Sequence, residues 1–329
     1  MPAFVWVNSG PDSSKKGTKG CVPFFYGPSK KITQERCQNH QYPMDIPEKG
    51  IKLLAPAKVN LILTLIGKRE DGYHEIQTLM QRIRLFDTLI LRKNPKGPLV
   101  RCPEYPELAG EANLMVKALR LLEKELDRSL PVEVELKKKI PLGAGLGGGS
   151  SDAAAILLKV NDLLGKRISQ TRLMEIATRL GSDIPFFLLK KTALGQGRGE
   201  ILEPWTDFPK WWYVLVYPGF PVSTAWAYSQ VKIPLTKIKK LTNVNRLNGK
   251  EQIPEAGRFR NDLEKFVLPA FPRLKEIKKA LLRQGCRQAL MSGSGSTLFG
   301  IWEDEAEARK AFRALNNRGW GQVFLARGF

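Results

Sequence analysis

Hydrophobic and polar positions change rhythm several times along this chain, and each rhythm predicts an element. In PVEVELKKKI, Val132, Val134 and Leu136 alternate with charged residues, the period of a half-buried strand. Soon afterwards AAAILLKVNDLL carries apolar residues at helical spacing, and Ser150, Ser151 and Asp152 before it are N-cap types. KVNLILTLIGK and FDTLILRK read as strands, and NLMVKALRLLEKEL as a helix with Asn113 near its start. SQTRLMEIATRLG is a helix that Ser169 can cap and Gly181 can stop. WWYVLVYPG reads as a buried strand, and PRLKEIKKALLRQG as a helix opened by Pro272 and closed by Gly285. DEAEARKAFRALNNRG adds a late helix and GQVFLARGF a closing strand. Strands alternating with helices predict an α/β or α+β fold. A length of 329 residues suggests about two domains, and EPWTDFPKW suggests where they part: 51–203 and 204–329.

Residues 1–50 have no such rhythm. NSGPDSSKKGTKG and YGPSKKITQERCQNHQYP are rich in Gly, Pro, Ser and Lys. They lack a charged n-region followed by an apolar h-region, so they are not a secretory signal. Three readings stand: an appended segment, an organellar transit peptide poor in the usual arginines, or synthesis that begins at Met44. The first is the expectation, with the compact protein starting near Ile51.

Between the strand ending in ELKKKI and the helix beginning near Ser150 lies PLGAGLGGGSSDAA, residues 141–154, in which five of fourteen residues are glycine. Glycine loses more freedom on folding than any other residue, so such a run implies unusual backbone angles or close approach of another group. A linker would sit in polar low-complexity sequence, and this loop does not. Strand, glycine loop and helix in that order form an anion site, and phosphate is the commonest anion to need one. The loop lacks G-x-x-x-x-G-K-[ST]. Its GAGLGG matches G-x-G-x-x-G, but no acidic residue follows a second strand as a dinucleotide fold requires.

Composition narrows the class. Hydrophobic residues make up 43% of the chain, yet no apolar run approaches the roughly 20 residues of a membrane span. The net charge of +21 suits nucleic acid, a membrane surface or anionic small substrates. The densest basic runs, LTKIKKL and ELKKKI, are short and lack interleaved aromatics, so a solvated basic surface is expected, and phosphorylated substrates fit the same charge. Cys21, Cys37, Cys102 and Cys286 form no C-x-x-C pair, which suits a reducing compartment and argues against a disulfide or zinc scaffold.

Four further stretches carry candidate chemistry: APAKVN with Lys58 and Asn60, REDGYHEIQTL with Tyr73 and His74, GSDIPFF with Asp183, and the glycine-serine turn MSGSGST at 291–297. Singly each has a plain alternative: a solvated lysine, a turn aspartate, a structural histidine, an ordinary turn. In this order, with the glycine loop, they resemble the GHMP small-molecule kinases. PAKVNLILTLIGKREDGYHEIQTLMQRI, PLGAGLGGGSSDAA and LGSDIPFFL together resemble one branch of them, the 4-diphosphocytidyl-2-C-methyl-D-erythritol kinase family, over about residues 51–329.

The resemblance implies a two-domain GHMP fold, an N-terminal domain like ribosomal S5 domain 2 and a ferredoxin-like C-terminal one. It implies phosphorylation of the 2-hydroxyl of 4-diphosphocytidyl-2-C-methyl-D-erythritol by ATP with Mg2+, in the non-mevalonate route to isoprenoid precursors. Asp183 resembles the catalytic base and Lys58 its partner. Residues Pro141, Leu142, Gly143, Ala144, Gly145, Leu146, Gly147, Gly148, Gly149, Ser150 and Ser151 would hold the ATP phosphates, and Asn113 resembles a residue near the adenine pocket. Asn60, Tyr73, His74 and Tyr228 fall at acceptor-binding positions, with Tyr73 and Tyr228 on opposite faces of the cytosine and His74 at its polar edge. Asn261, Asp262 and the SGSGS turn help close the site. No magnesium ligand is assigned; Ser151 and Asp152 are nearest in sequence, and Asp152 can instead cap the helix. No nucleic-acid or membrane partner is expected of the dispersed basic residues, a monomer or weak homodimer is the expected state, and the poor transit-peptide character favours a bacterial cytoplasm over a plastid stroma. The other readings are a mevalonate- or homoserine-type GHMP kinase, a basic RNA-binding protein, and an inactive relative.

Overall fold

The fold is given by a computed structural model, which describes residues 44–231 and 259–329. The run LTKIKKL, Cys21 and Cys37 lie outside the described residues. In chain order the elements are β1 (Ile51–Lys68), β2 (His74–Lys93), β3 (Leu99–Arg101), α1 (Leu114–Leu126), β4 (Val132–Lys137), α2 (Gly148–Leu163), α3 (Gln170–Leu180) and α4 (Ile184–Leu189). Then follow β5 (Thr192–Gln196), β6 (Ile201–Trp205), β7 (Trp212–Tyr217), α5 (Thr224–Ser229), β8 (Arg260–Asn261), α6 (Glu264–Ala270), α7 (Pro272–Arg283), β9 (Gln288–Met291), β10 (Leu298–Trp302), α8 (Glu305–Asn316) and β11 (Gln322–Arg327).

Two sheets organise these elements. The first runs β3-β4-β2-β1-β8, with β5 on β2 and β6 on β5; the second runs β11-β7-β10-β9. The change of sheet falls between Trp205 and Trp212, although β8 returns to pair in parallel with β1 at Ile62 and Leu63. One core lies between the first sheet and α1–α4, around Leu119, Leu157 and Phe186. Another packs α6, α7 and α8 on the second sheet, around Leu274, Ile277 and Leu298. A third joins the sheets face to face, where Leu61, Leu79 and Ile83 meet Tyr213, Phe299 and Ile301. At its centre the Tyr213 hydroxyl donates to Gln81 Oε1, whose amide nitrogen donates to the Pro209 carbonyl at 2.8 Å, so the buried polar groups are satisfied.

Several boundaries differ from expectation. Met44 and Ile46, assigned to the appended segment, are buried in the first core, so the packed chain begins before Ile51. Strand β1 starts seven residues ahead of Lys58, at Ile51, and β2 runs on through FDTLILRK as one strand. Both faces of β1 are buried from Ala57 to Leu65, which removes the alternation that marks a strand in sequence. The short helices IPFFLL and EKFVLPA, the second with Pro269 inside it, carry too few turns to show a helical period. Helix α2 starts at Gly148, earlier than the serines suggested, because Gly147 at φ +70° turns the chain into it. Ser150 and Ser151 therefore lie in the first turn and Asp152 just past it, and none of the three is the cap.

Candidate active site

A cleft of about 1060 Å³ opens where the start of α2, the β1–β2 hairpin, α4, α5 and the 292–295 turn converge. Twelve residues expected in the site line it: Lys58, Asn60, Tyr73, His74, Gly143, Ala144, Gly145, Gly147, Gly149, Ser150, Asp183 and Tyr228.

Lys58 and Asn60 project from the same face of β1, two residues apart, as a strand's period requires. Lys58 Nζ donates to Asn60 Oδ1 at 2.5 Å and stands 3.5 Å from Asp183 Oδ2. The Asn60 amide donates to Thr78 Oγ1 at 2.8 Å, and that hydroxyl donates to the Ile62 carbonyl at 2.8 Å. This chain of bonds fixes the ammonium, which is nearly buried, while Asp183 at 32% exposure faces the cleft. Asp183 starts α4 without spending its carboxylate on a cap bond. A carboxylate free to accept a proton thus lies beside a fixed cation.

The glycine loop is set by backbone contact with the second sheet. Thr297 N–H donates to the Ala144 carbonyl at 3.2 Å, and the Ser292 hydroxyl to the Gly145 carbonyl at 2.8 Å. A Cβ on Gly145 would lie 2.0 Å from the Ser292 carbonyl oxygen, so only glycine fits. Gly147 takes φ +70° and packs against Lys58 and the Phe187 ring, while Lys58 N–H donates to the Leu146 carbonyl at 2.9 Å. The loop is therefore tied both to the lysine strand and to MSGSGST. Asn261, through its amide to the Met291 and Gly293 carbonyls at 2.8 and 2.6 Å, holds that turn.

At the far end the His74 and Tyr228 rings are 5.3 Å apart and inclined by 35°. Tyr73 is 57% exposed, and the Arg198 guanidinium lies 4.9 Å over its ring. Burial, with the Lys68 charge, holds the His74 imidazole below its usual 6.5. A neutral imidazole offers one N–H donor and one nitrogen acceptor. Burial and then the Asp183 charge push the Tyr228 phenol well up, so it keeps its proton.

Six expected residues do not line this cleft: Pro141, Leu142, Leu146, Gly148, Ser151 and Asn113. Asn113 caps α1, its Oδ1 accepting from Met115 N–H at 2.8 Å and its amide donating to the Leu108 carbonyl at 2.7 Å. Its neighbour Leu114 reaches the cleft instead. The Leu146 side chain is buried, and Ser151 faces a separate groove between α2 and β1. Asp152 is buried against Lys138 at 3.2 Å and cannot reach a metal in the cleft.

Known proteins resemble this chain over most of its length. The GHMP kinases N terminal domain matches residues 113–191, and the GHMP kinases C terminal domain matches 241–320. The 4-diphosphocytidyl-2-C-methyl-D-erythritol kinase of Geobacter sp. (strain M21) is 43% identical over 275 residues, 83% of this chain and 97% of that protein. Its counterpart in Citrifermentans bemidjiense is 44% identical over 278 residues, 83% of this chain and 97% of that protein. The chain belongs to the 4-diphosphocytidyl-2-C-methyl-D-erythritol kinase family. A crystal structure of 4-(cytidine 5'-diphospho)-2C-methyl-D-erythritol kinase superposes with a TM-score of 0.71 at 37% identity, covering 84% of this chain and 99% of that one. The fold is thus that of a GHMP kinase.

Within this member of the family, sequence reasoning missed Thr78, Lys68 and Arg198. Thr78 shows no motif, being a buried threonine in a strand. Arg198 sits in GQGRGE, where a lone arginine between glycines is a signal that could have been read. Arg198 and Lys68 add two cations to the wall near Tyr73 and His74.

Proposed function

We propose that this chain transfers the γ-phosphoryl group of ATP to the 2-hydroxyl of 4-diphosphocytidyl-2-C-methyl-D-erythritol. The observation that carries this reading is one cleft holding the Lys58–Asp183 pair, the glycine loop and the Tyr73–His74–Tyr228 group. Asp183 accepts the proton of the acceptor hydroxyl as its oxygen bonds to the γ-phosphorus. The bond from that phosphorus to the bridging oxygen breaks, and ADP leaves. Lys58 offsets charge on the attacking oxygen and the moving phosphoryl group. Backbone N–H groups between Gly143 and Ser150 hold the nucleotide phosphates, and a Cβ on Gly149 would meet only Leu114, at 3.8 Å. Tyr73 and Tyr228 flank the cytosine, and neutral His74 pairs with its edge. Arg198 and Lys68 attract the diphosphate.

Among the described residues no group of three or more His, Cys, Asp or Glu could hold a metal ion, and Asp183 is the one expected carboxylate at the cleft wall. These residues fit a magnesium ion carried chiefly by nucleotide phosphates and water, which would neutralise phosphate charge. The described residues include no helix long and apolar enough to cross a membrane. A cytoplasmic monomer or weak homodimer completes this reading, and light scattering of the purified protein tests the oligomeric part. Mevalonate and homoserine have no base for the aromatic group, so they are the rejected acceptors.

ATP consumption by the purified chain with each of the three acceptors tests the proposal. Turnover with the cytidine compound alone is expected. Turnover with mevalonate or homoserine removes the cytidine pocket, and salt-sensitive RNA binding without turnover would replace the kinase reading.

A further inference from the structure

Behind the glycine loop, on the side away from the cleft, three charged side chains are packed out of water. Asp87 on β2, Lys138 just after β4 and Asp152 near the start of α2 have side-chain exposures of 0%, 3% and 3%. The Lys138 ammonium donates to Asp87 Oδ2 and, at 3.2 Å, to Asp152 Oδ2. The other Asp87 oxygen accepts the backbone N–H groups of Lys139 and Ile140 at 2.6 and 2.8 Å. Gly148 lies directly over the group; a Cβ there would come 3.0 Å from Lys138 Nζ and 3.2 Å from Asp87 Oδ2. Asp152 Oδ1 is buried with no hydrogen-bond partner among the described residues.

Burying ions is costly, and apolar residues of similar size usually stabilise a core as well or better. Two carboxylates around one ammonium are also unbalanced in charge. Packing alone therefore gives no reason for this cluster. Its contacts do. Residues 138–140 lead into the glycine loop, and Gly148 and Asp152 lead out of it, so every bond of the cluster touches one end of the loop. Asp87 ties the entry end of the loop to β2, the strand next to the one carrying Lys58, and Lys138 links the exit end to it through Asp152.

We propose that Asp87, Lys138 and Asp152 are positioning residues, a buried clamp that fixes both ends of the glycine loop and so sets its affinity for ATP. This inference rests on the reading of that loop as a phosphate cradle. None of the three residues lines the cleft, so the clamp acts through the loop on nucleotide affinity and leaves proton transfer at Asp183 unchanged. It also contains a proton-sensitive member. Burial pushes Asp152 up to about 7, with the Lys138 ammonium opposing and the Asp87 charge adding to the rise. Burial disfavours the Lys138 charge, but the two carboxylates outweigh it and raise its pKa. Among the described residues the buried Cys102 thiol just after β3 also faces them, itself pushed up by burial. Ionised Asp152 completes the grip on α2.

Steady-state kinetics on the full chain, with ATP and the cytidine acceptor varied separately, tests the clamp. Asp87→Asn is expected to raise the KM for ATP about tenfold, with kcat and the acceptor KM within about twofold of the parent. Leu119→Ala, a core change on α1, is the control: it lowers the melting temperature without moving the ATP KM. Should Asp87→Asn not fold, Asp152→Asn carries the test, because it keeps size and one acceptor for Lys138. The parent's ATP KM, corrected for the nucleotide's own ionisation, should be lower at pH 8 than at pH 6, and Asp152→Asn should abolish that difference. An ATP KM unmoved in both clamp variants, or raised as much by Leu119→Ala, overturns the proposal. Gly149→Ala separates the two readings, since its methyl faces the cleft. If it leaves ATP KM unchanged, the cradle reading falls and the clamp with it; if it raises KM while the clamp variants do not, only the clamp falls.

Discussion

Asp183, Lys58 and Asn60 form one connected polar group in the cleft wall. Asp183 keeps an accessible carboxylate because it spends nothing on capping α4, and Lys58 is held by Asn60 at 2.5 Å. Asp183→Asn removes the proposed proton acceptor but keeps the shape. Turnover should fall by about 10²–10⁴-fold, the usual worth of a general base, while ATP binding by calorimetry stays near the parent value. Near-normal turnover would reject the assignment. His74 supplies a pH dependence. Its imidazole titrates below 6.5, so the acceptor nitrogen that would read the base is present at neutral pH and lost on acidification. The acceptor KM should be flat from pH 8 to the mid-sixes and rise below that. His74→Gln, which has a donor and an acceptor but does not titrate there, should flatten that acid limb. Tyr73→Ala should weaken the acceptor far more than ATP; equal losses would argue against stacking.

Among the elements, the glycine loop depends on its partners as much as on its own residues. Its carbonyls at Ala144 and Gly145 receive bonds from Thr297 and Ser292, and its Leu146 carbonyl receives one from Lys58. A strand of the first sheet and a turn of the second therefore share its conformation. Gly145→Ala would put a Cβ 2.0 Å from a backbone oxygen, which no rotamer can relieve. That variant should unfold at lower denaturant by at least about 2 kcal/mol, the scale of overpacking with backbone movement. An unchanged midpoint would mean the 292–295 turn moves freely. Gly149→Ala, whose Cβ meets only Leu114, should keep its stability, so the pair separates packing from ligand approach.

For the whole molecule, the question is where the packed chain begins and what joins its two sheets. Met44 and Ile46 fill the core between the first sheet and its helices, although they precede every recognisable strand. A chain starting at Ile51 should melt lower than one starting at Met44, because two buried side chains worth about 1.5–3 kcal/mol each are lost. Equal melting temperatures would show that their burial contributes nothing. The face-to-face core of Leu61, Leu79, Tyr213 and Phe299 carries the glycine loop's support from one sheet to the other.

Motif order was legible because its physics is local. A glycine loop between strand and helix, APAKVN, DGYH and GSDIP each depend on a few adjacent residues, so the sequence alone determined the kinase family and twelve of the residues lining the cleft. Helix limits at Ser169 and Gly181 were legible for the same reason, since capping bonds span only three or four residues. The tertiary structure decided the rest. Asp87 looked like any strand aspartate until residues 138–140 and 152 folded around it. Asn113 and Ser151 belong to the right motifs, yet one caps a helix and the other turns to a different face. Whether a polar side chain binds a ligand or serves the fold depends on which distant groups reach it, and only packing brings those groups together.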